Sequence, residues 1–226
     1  SPTGAARGPL RAFFGPADEA GQAAPYALRR NIVMSDLPIF LKQELITRTI
    51  ASNQVTLLQG ETGSGKTTQV PSFVLQMAED ARRSAGCATP WTRIVVTQPR
   101  RIAAITVAKR VAEELGEVVG EGVVGYKVRG ISVCSPNCRI LFCTTGVLLR
   151  RLAQEGQDDM FSEKTVTHLI VDEVHERNCE TDFMLTFLHQ VVKKRPRLKV
   201  VLMSATMDAE RFLSYFALGG GAGGIP

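Results

Sequence analysis

Short runs of consecutive apolar residues recur along the middle of the chain, and within them apolar and polar positions do not alternate. Such runs are typical of strands that are buried on both faces of a parallel sheet. They predict five strands, which lie at Val55–Leu58, Arg93–Thr97, Arg139–Thr144, His168–Val171 and Lys199–Met203.

Segments with apolar residues on one helical face lie between these runs. Their spacing predicts helices over Ile39–Ile50, Ile102–Leu115 and Phe183–Val192. Strands that alternate with helices indicate an α/β domain with a mostly parallel sheet and helices on both faces. Ligands of such a domain bind at the carboxyl ends of the strands, so we expect the chemistry there.

The two ends of the chain differ in composition from this alternating region. Residues 1–30 are rich in Ala, Gly, Pro and Arg without periodicity, which predicts a flexible leader. Residues 218–226 are rich in Gly and are predicted to begin a flexible interdomain linker. One folded domain is then expected over residues 31–217, and the ends account for about half of the excess of 226 residues over about 150 per domain.

Composition and charge narrow the class of protein. The 44% of hydrophobic residues is ordinary for a globular protein, and a net charge of +5 permits nucleic-acid binding without demonstrating it. No apolar run is long enough to span a membrane, and the start lacks a secretory signal. The five cysteines lack the spacing of a zinc site, which indicates reduced thiols. Cys134 and Cys138 could suggest a metal site, but no second pair of ligands follows them in the sequence. We therefore expect an intracellular protein, nuclear or cytoplasmic, that is not secreted.

A phosphate-binding loop of the pattern G-x-x-x-x-G-K-[ST] follows the first predicted strand and precedes a helix. Its glycines let successive N–H groups point at phosphate oxygens, and the helix N-terminus adds positive potential. Lys66 is expected to reach the β and γ phosphates, and the Thr67 hydroxyl to bind Mg²⁺. The predicted nucleotide-binding residues of this segment are Gly60, Glu61, Thr62, Gly63, Ser64, Gly65, Lys66, Thr67 and Thr68.

Two adjacent carboxylates stand at the end of a buried strand, where a phosphate loop requires its second acidic group. Asp172 is predicted to hold Mg²⁺ through water, and Glu173 to accept the proton of the attacking water. Thr67, Asp172 and Glu173 form the predicted metal-binding group. Because adjacent strand residues point to opposite faces, the chain must turn at Asp172 for both carboxylates to face one site.

These motifs resemble those of superfamily 2 helicases, in the family's order. The segments Gly60–Thr68, Asp172–His175 and Ser204–Thr206 resemble motifs I, II and III, and Thr97–Arg101 and Thr144–Arg150 resemble motifs Ia and Ib. The match runs from about residue 37 to residue 216. Its details, including Pro-Arg-Arg in motif Ia and Thr-Thr-Gly in motif Ib, are similar to the DEAH/RHA group of DExH-box RNA helicases. The resemblance implies a three-layer, RecA-like P-loop NTPase domain.

The resemblance also implies roles for residues outside the first two motifs. His175, which completes the catalytic set with Lys66, Asp172 and Glu173, would couple nucleotide state to the grip on nucleic acid together with Ser204 and Thr206. Arg110 occupies the position at which this family stacks a guanidinium on the adenine. ATP is the expected nucleotide. Because stacking discriminates weakly between bases, other NTPs are candidates as well.

Four residues are predicted to contact nucleic acid. Arg100 and Arg101 lie where a predicted strand meets a helix, so two guanidiniums and a helix N-terminus form a phosphate site. In the family this segment touches the RNA backbone, as do Thr145 and Gly146; Arg129 is a weaker candidate. Because backbone contacts carry no base code, sequence specificity is expected to be low.

The resemblance implies that this chain is one part of a larger motor. The family's second RecA-like domain supplies arginine fingers, and nothing here matches the Gln-Arg-x-Gly-Arg-x-Gly-Arg pattern that carries them. The expected partners are single-stranded RNA or a duplex with an overhang, the protein's own second RecA-like and accessory domains, and a protein activator; no membrane is expected. Alone, the chain is expected to be nearly inactive.

Other functions share some of these features. A P-loop GTPase would require an Asn-Lys-x-Asp segment, which is absent from the sequence, and a small-molecule kinase would not need Ser204–Thr206. A non-catalytic RNA-binding or scaffold module is disfavoured by the intact loop and acidic pair. A DNA-directed helicase stays open, because phosphate contacts do not sense the 2′-hydroxyl. The leading interpretation is an RNA-stimulated ATPase that couples hydrolysis to RNA unwinding or remodelling of RNA–protein complexes.

Overall fold

The computed structural model of the chain describes residues 37–85, 92–160, 166–176, 179–206 and 222–225, with backbone alone at 154–160 and 222–225. The predicted leader, residues 1–30, lies outside the described residues. Of the predicted linker, residues 218–221 and residue 226 also lie outside them.

In the described part of the chain, eight strands form one sheet in the order β4-β3-β5-β2-β6-β7-β1-β8. All neighbours pair in parallel except β3 and β4, which form an antiparallel hairpin. The five predicted strands are confirmed as β1, β2, β5, β6 and β7, and β3, β4 and β8 were not predicted. The strands are β1 Val55–Gln59, β2 Ile94–Gln98, β3 Val124–Val128, β4 Ile131–Val133, β5 Ile140–Thr144, β6 His168–Val171, β7 Lys199–Ser204 and β8 Ala222–Ile225.

The three predicted helices are present with shifted ends. The first begins as a 3₁₀ helix with Pro38 at its first position, where no backbone donor is needed, and continues as α1. The helix expected after the phosphate loop is α2, and α4 was not predicted. The bounds are Pro38–Lys42 for the 3₁₀ helix, α1 Gln43–Ser52, α2 Lys66–Ser84, α3 Arg101–Glu114, α4 Thr145–Met160 and α5 Cys179–Lys194. Among the described residues, no helix combines the length and apolarity that crossing a membrane requires.

Two hydrophobic clusters cover the two faces of the sheet. One contains Phe73 of α2 and Val111 of α3, packed on strand residues such as Phe142. The other contains Leu148 of α4 and Leu188 of α5, packed on alternate residues of the same strands. Because successive strand side chains point to opposite faces, both sets are buried, which explains the unbroken apolar runs. The three-layer arrangement expected of a RecA-like domain is confirmed.

The described part of the glycine-rich tail corrects one expectation. Ala222–Ile225 forms edge strand β8, parallel to β1, with Leu57 opposite Gly224, where the sequence predicted a flexible linker. Pairing at a sheet edge uses backbone N–H and C=O groups and does not require side chains, so glycine content alone did not reveal it.

A buried ion pair joins α2 to the loop before β5. Arg139 Nη2 lies 2.7 Å from Glu79 Oε1, and both side chains are less than one-tenth exposed. Arg139 also donates from Nε to the Thr92 carbonyl. Burial lowers the pKa of Arg139, and the hydrogen bond that Arg139 donates to Glu79 opposes that shift.

Removing one partner of this pair is expected to destabilise the fold. Glu79→Ala leaves a buried guanidinium without its carboxylate, which should lower the free energy of unfolding by about 3 kcal/mol. Asp80→Ala is the matched control, because its pair with Arg83 is half exposed and should contribute less than about 1 kcal/mol. Urea denaturation measures both, and equal losses in the two variants would contradict the prediction.

Candidate active site

The carboxyl ends of the parallel strands meet at one edge of the sheet, and the predicted site residues follow them directly. The phosphate loop follows β1, Arg100 follows β2, Thr145 follows β5, and Asp172 follows β6. The sheet register places these strand ends side by side. Segments that are far apart in sequence therefore share one edge.

The loop between β1 and α2 adopts a conformation that its glycines permit. Gly63 and Gly65 have φ values of 83° and 94°, in the left-handed region that side chains other than glycine rarely adopt. At Gly65, which caps α2, an added Cβ would also lie 2.9 Å from Leu37 Cδ1. Both backbone geometry and packing therefore require glycine at this position.

The Lys66 ammonium lies inside the loop. Its Nζ donates to the carbonyls of Gly60 and, at 2.7 Å, Glu61, and to Ser64 Oγ at 3.3 Å. Burial lowers the pKa of Lys66, and the carboxylates of Asp172, Glu173 and Glu61 oppose that shift. A cation is thus held between the loop and the acidic pair.

Asp172 is buried and joins three parts of the site. Its Oδ2 accepts hydrogen bonds of 2.6 Å from Thr67 Oγ1 and from Gln98 Nε2, and its Oδ1 accepts one of 2.9 Å from the Glu173 N–H. Burial raises the pKa of Asp172, and these three hydrogen bonds oppose the shift. Gln98 is a site residue that sequence reasoning missed, although it lies inside the segment assigned to motif Ia.

The backbone turns where the sequence required it. Strand β6 ends at Val171, and Glu173 has a φ of 55°, the one described residue other than glycine with a positive φ. Such backbone strain is maintained where the surrounding structure fixes it, and it concentrates at functional sites. Burial raises the pKa of Glu173, and the nearby carboxylate of Asp172 raises it further. The prediction of a turn at Asp172 is confirmed.

Of the residues assigned to coupling, His175 lies beside Glu173, and Ser204 and Thr206 flank Ala205, which contacts His175. His175 Nδ1 is 3.3 Å from Glu173 Oε2 and accepts a long hydrogen bond of 3.4 Å from the Ala205 N–H. Ser204 Oγ donates to the Thr206 carbonyl at 2.8 Å. The end of β7 therefore contacts the acidic turn through an imidazole.

The oxygen atoms of Thr67 and Asp172 fit Mg²⁺. Their 2.6 Å contact brings a hydroxyl and a carboxylate, both hard ligands, to one point, and Glu173 follows directly in the chain. Mg²⁺ keeps several waters and needs few protein ligands, so a pair of this kind suffices. Within the described ranges, no group of three or more His, Cys, Asp or Glu side chains is arranged to hold a metal ion. Cys134 and Cys138 are therefore not part of such a group.

The predicted nucleic-acid residues lie at the starts of α3 and α4. Arg100 is the N-cap of α3 and Arg101 is its first residue, and both are exposed. Thr145 and Gly146 begin α4; the Thr145 side chain is buried, whereas Gly146 is partly accessible. Because β2 and β5 are neighbours in the sheet, the two helix starts are neighbours as well.

A cavity of about 330 Å³ lies next to the start of α4. It is formed by the β3–β4 hairpin and the first turns of α4, and it contains no acidic residue. Burial lowers the pKa of Lys127, and the charge of Arg151 lowers it further. Sequence reasoning named Arg129 alone, because it did not show that the hairpin lies against α4. The basic lining residues are Lys127, Arg129, Arg150 and Arg151.

Arg110 is linked to the phosphate-loop helix through Glu114. Arg110 Nε lies 2.8 Å from Glu114 Oε1, and Glu114 Oε2 accepts a hydrogen bond of 2.7 Å from Gln69 Nε2. The guanidinium is half exposed. Glu114 and Gln69, which the sequence did not single out, thus fix Arg110 relative to α2.

Comparisons with known proteins agree with this arrangement. The family model for the DEAD/DEAH box helicase matches residues 41–212. The chain is 50% identical over 180 residues to DExH-box ATP-dependent RNA helicase DExH3 of Arabidopsis thaliana, which covers 80% of the chain and 14% of the relative. It is 49% identical over 180 residues to putative ATP-dependent RNA helicase DHX57 of Homo sapiens, with 80% of the chain and 12% of the relative covered. It is 42% identical over 212 residues to ATP-dependent RNA helicase DHX29 of Mus musculus, with 92% and 15% covered.

Proposed function

The chain belongs to the DEAD/DEAH box helicase family, and from that premise we propose that it is the first motor domain of an ATP-dependent RNA helicase. The observation that carries the proposal is the 2.6 Å contact between Thr67 and Asp172. It joins the phosphate loop to the acidic turn, as NTP hydrolysis requires. The chain spans less than a fifth of the length of each relative named above.

The proposed nucleotide site uses each group for one task. The loop N–H groups and Lys66 bind the phosphates of ATP, and the guanidinium of Arg110 stacks on the base, so other NTPs are candidate substrates. Thr67 and Asp172 would hold Mg²⁺, with Glu173 beside them, and the bound ion would neutralise phosphate charge. Gln98 keeps the Asp172 carboxylate in position.

Glu173 is proposed to act as the general base. Burial and the Asp172 carboxylate raise its pKa, which makes its ionised form a better proton acceptor than an ordinary glutamate. The neighbouring His175 and the Ser204–Thr206 segment would transmit the state of the nucleotide to the nucleic-acid surface. Full activity would need the arginine fingers of a second RecA-like domain, so this chain alone would be nearly inactive.

RNA is the proposed substrate, bound by its backbone. Arg100, Arg101, Thr145 and Gly146 present guanidiniums and a helix start to phosphates, and the basic cavity that includes Arg129 extends the positive surface. None of these groups reads base edges, so we propose low sequence specificity for single strands and for duplexes with an overhang. Accessory domains and a protein activator are further proposed partners, in a nuclear or cytoplasmic setting.

RNA-stimulated hydrolysis by the full-length protein tests this function. RNA should accelerate ATP hydrolysis, and Arg100→Gln with Arg101→Gln should raise the RNA concentration for half-maximal stimulation by about tenfold. The salt dependence of RNA binding should also become weaker. The slope of log affinity against log salt concentration should shrink by about 0.7 for each RNA phosphate that the variant no longer neutralises.

The controls separate the remaining alternatives. Lys42→Gln with Lys109→Gln removes the same charge from exposed positions outside the predicted contacts and should change stimulation little. No stimulation of the wild type by RNA would overturn the helicase proposal and favour a non-catalytic RNA-binding or scaffold module. Equal stimulation by DNA of the same sequence would redirect the proposal to a helicase that accepts DNA.

A further inference from the structure

Two acidic side chains lie against the residues proposed to bind RNA phosphates. Glu176 Oε1 is 2.9 Å from Arg100 Nη2. Glu180 Oε1 lies only 2.8 Å, and Oε2 3.1 Å, from the point that a Cβ on Gly146 would occupy. Each half of the proposed phosphate surface therefore already has a carboxylate beside it.

A carboxylate at these positions resembles the ligand that the surface is proposed to bind. Gly146 is the second residue of α4, and the first N–H groups of a helix have no partners within it and carry partial positive charge. Arg100 offers a guanidinium, whose planar donors match carboxylate and phosphate equally well. Glu176 thus presents the same kind of anion as a phosphate oxygen to Arg100, and Glu180 places a second carboxylate against Gly146 at the start of α4.

Stabilisation of the fold is a weak explanation for these contacts. The Arg100 side chain is 74% exposed and that of Glu176 is 34% exposed. An exposed pair of this kind contributes less than about 1 kcal/mol to stability. Glu180 is also exposed, so neither carboxylate is fixed by burial. A phosphate group can therefore displace them at small cost.

We propose that Glu176 and Glu180 set the affinity of this domain for RNA by occupying its phosphate positions, from which an incoming RNA backbone must displace them. This inference rests on the proposed function, in which Arg100 and the start of α4 bind RNA. In addition, RNA binding becomes an exchange of one anion for another. This exchange weakens the affinity for RNA and makes RNA binding readily reversible.

The position of Glu176 places this exchange close to the catalytic turn. The Glu176 N–H donates a 2.9 Å hydrogen bond to the Glu173 carbonyl, so both residues belong to one turn. The Glu176 carboxylate that would leave Arg100 therefore belongs to the same turn as Glu173, the proposed general base. The proposed exchange at Arg100 thus takes place one short turn away from the proposed general base.

Binding of a fluorescent 12-nucleotide oligouridine to the full-length protein tests the inference. Glu176→Gln and Glu180→Gln should each tighten binding by about threefold to fivefold at low salt, the range that removal of an exposed ionic interaction supports. Glu113→Gln, an exposed acid at the opposite end of α3 from Arg100, is the matched control and should change binding by less than about 1.5-fold. Equal tightening by all three variants would reduce the effect to net charge and overturn the inference.

A double-mutant cycle separates competition from a general charge effect. In an Arg100→Gln background the gain from Glu176→Gln should disappear, because the guanidinium that it competes for is gone, whereas the gain from Glu180→Gln should persist. Persistence of the Glu176→Gln gain in that background would overturn the inference, as would unchanged affinity in both single variants. If the wild type fails to bind RNA at all, the proposed function itself fails, which is a distinguishable result.

Discussion

Replacing Glu173 by Gln is expected to slow RNA-stimulated ATP hydrolysis by the full-length protein by about a thousandfold, the range of general-base catalysis. The amide keeps the size of the side chain but cannot accept the proton of the attacking water. ATP should still bind, because Lys66 and the loop N–H groups are untouched. Single-turnover hydrolysis and nucleotide affinity, measured on the same preparation, separate the two effects.

The pH dependence of the wild type provides a second measurement of the same role. A general base works deprotonated, so the rate should fall as the pH drops through the pKa of Glu173. Burial and the Asp172 carboxylate raise that pKa in the metal-free protein, whereas a bound Mg²⁺ would lower it, so the acid limb should move to higher pH as the Mg²⁺ concentration is reduced. Glu113→Gln serves as the control and should keep both rate and acid limb. A Glu173→Gln variant that hydrolyses ATP at the wild-type rate would remove Glu173 from its assigned role.

The features that were predictable from sequence are those that local pattern encodes. The five buried strands were found because a parallel strand covered on both faces must be apolar at successive positions. The turn at Asp172 was predictable because two adjacent carboxylates cannot face one site from a continuous strand. Gly63 and Gly65 were recognisable because the phosphate loop needs a backbone that other residues resist.

The features that were not predictable depend on which strands are neighbours. Gln98 reaches Asp172 because β2 lies beside β6, and this adjacency is not visible in either segment alone. The contact of Arg100 with Glu176 has the same origin, across 76 positions. Helix α4 was not predicted because its first residues were interpreted only as a motif, although Leu148 and Leu152 lie one turn apart on its buried face. The sequence therefore indicated the groups that are proposed to be catalytic, but not the residues that position or oppose them.

The second large effect is expected at Asp172. Asp172→Asn should lower ATP hydrolysis by about a thousandfold, equivalent to about 4 kcal/mol, because the charge that would hold Mg²⁺ is lost. The fold should tolerate this change. The Asn oxygen can still accept from the Glu173 N–H, its amide can donate to Thr67 Oγ1, and the Gln98 amide can rotate to present its oxygen.

The stability of the Asp172 variants shows whether a loss of activity comes from the lost charge or from a damaged fold. Burial raises the pKa of Asp172, which means that ionising it inside the protein is costly, so the neutral amide should leave the thermal midpoint unchanged or higher. Asp172→Ala is the contrasting variant, because it leaves Thr67 and Gln98 without their acceptor. The unsatisfied buried amide of Gln98 should lower the free energy of unfolding by about 1–3 kcal/mol. Calorimetry and a Mg²⁺ titration of hydrolysis measure the two quantities. An Asp172→Asn protein that retains the wild-type Mg²⁺ dependence would exclude this carboxylate from metal binding, and the contact between Thr67 and Asp172 would then serve only to fasten the loop to the sheet.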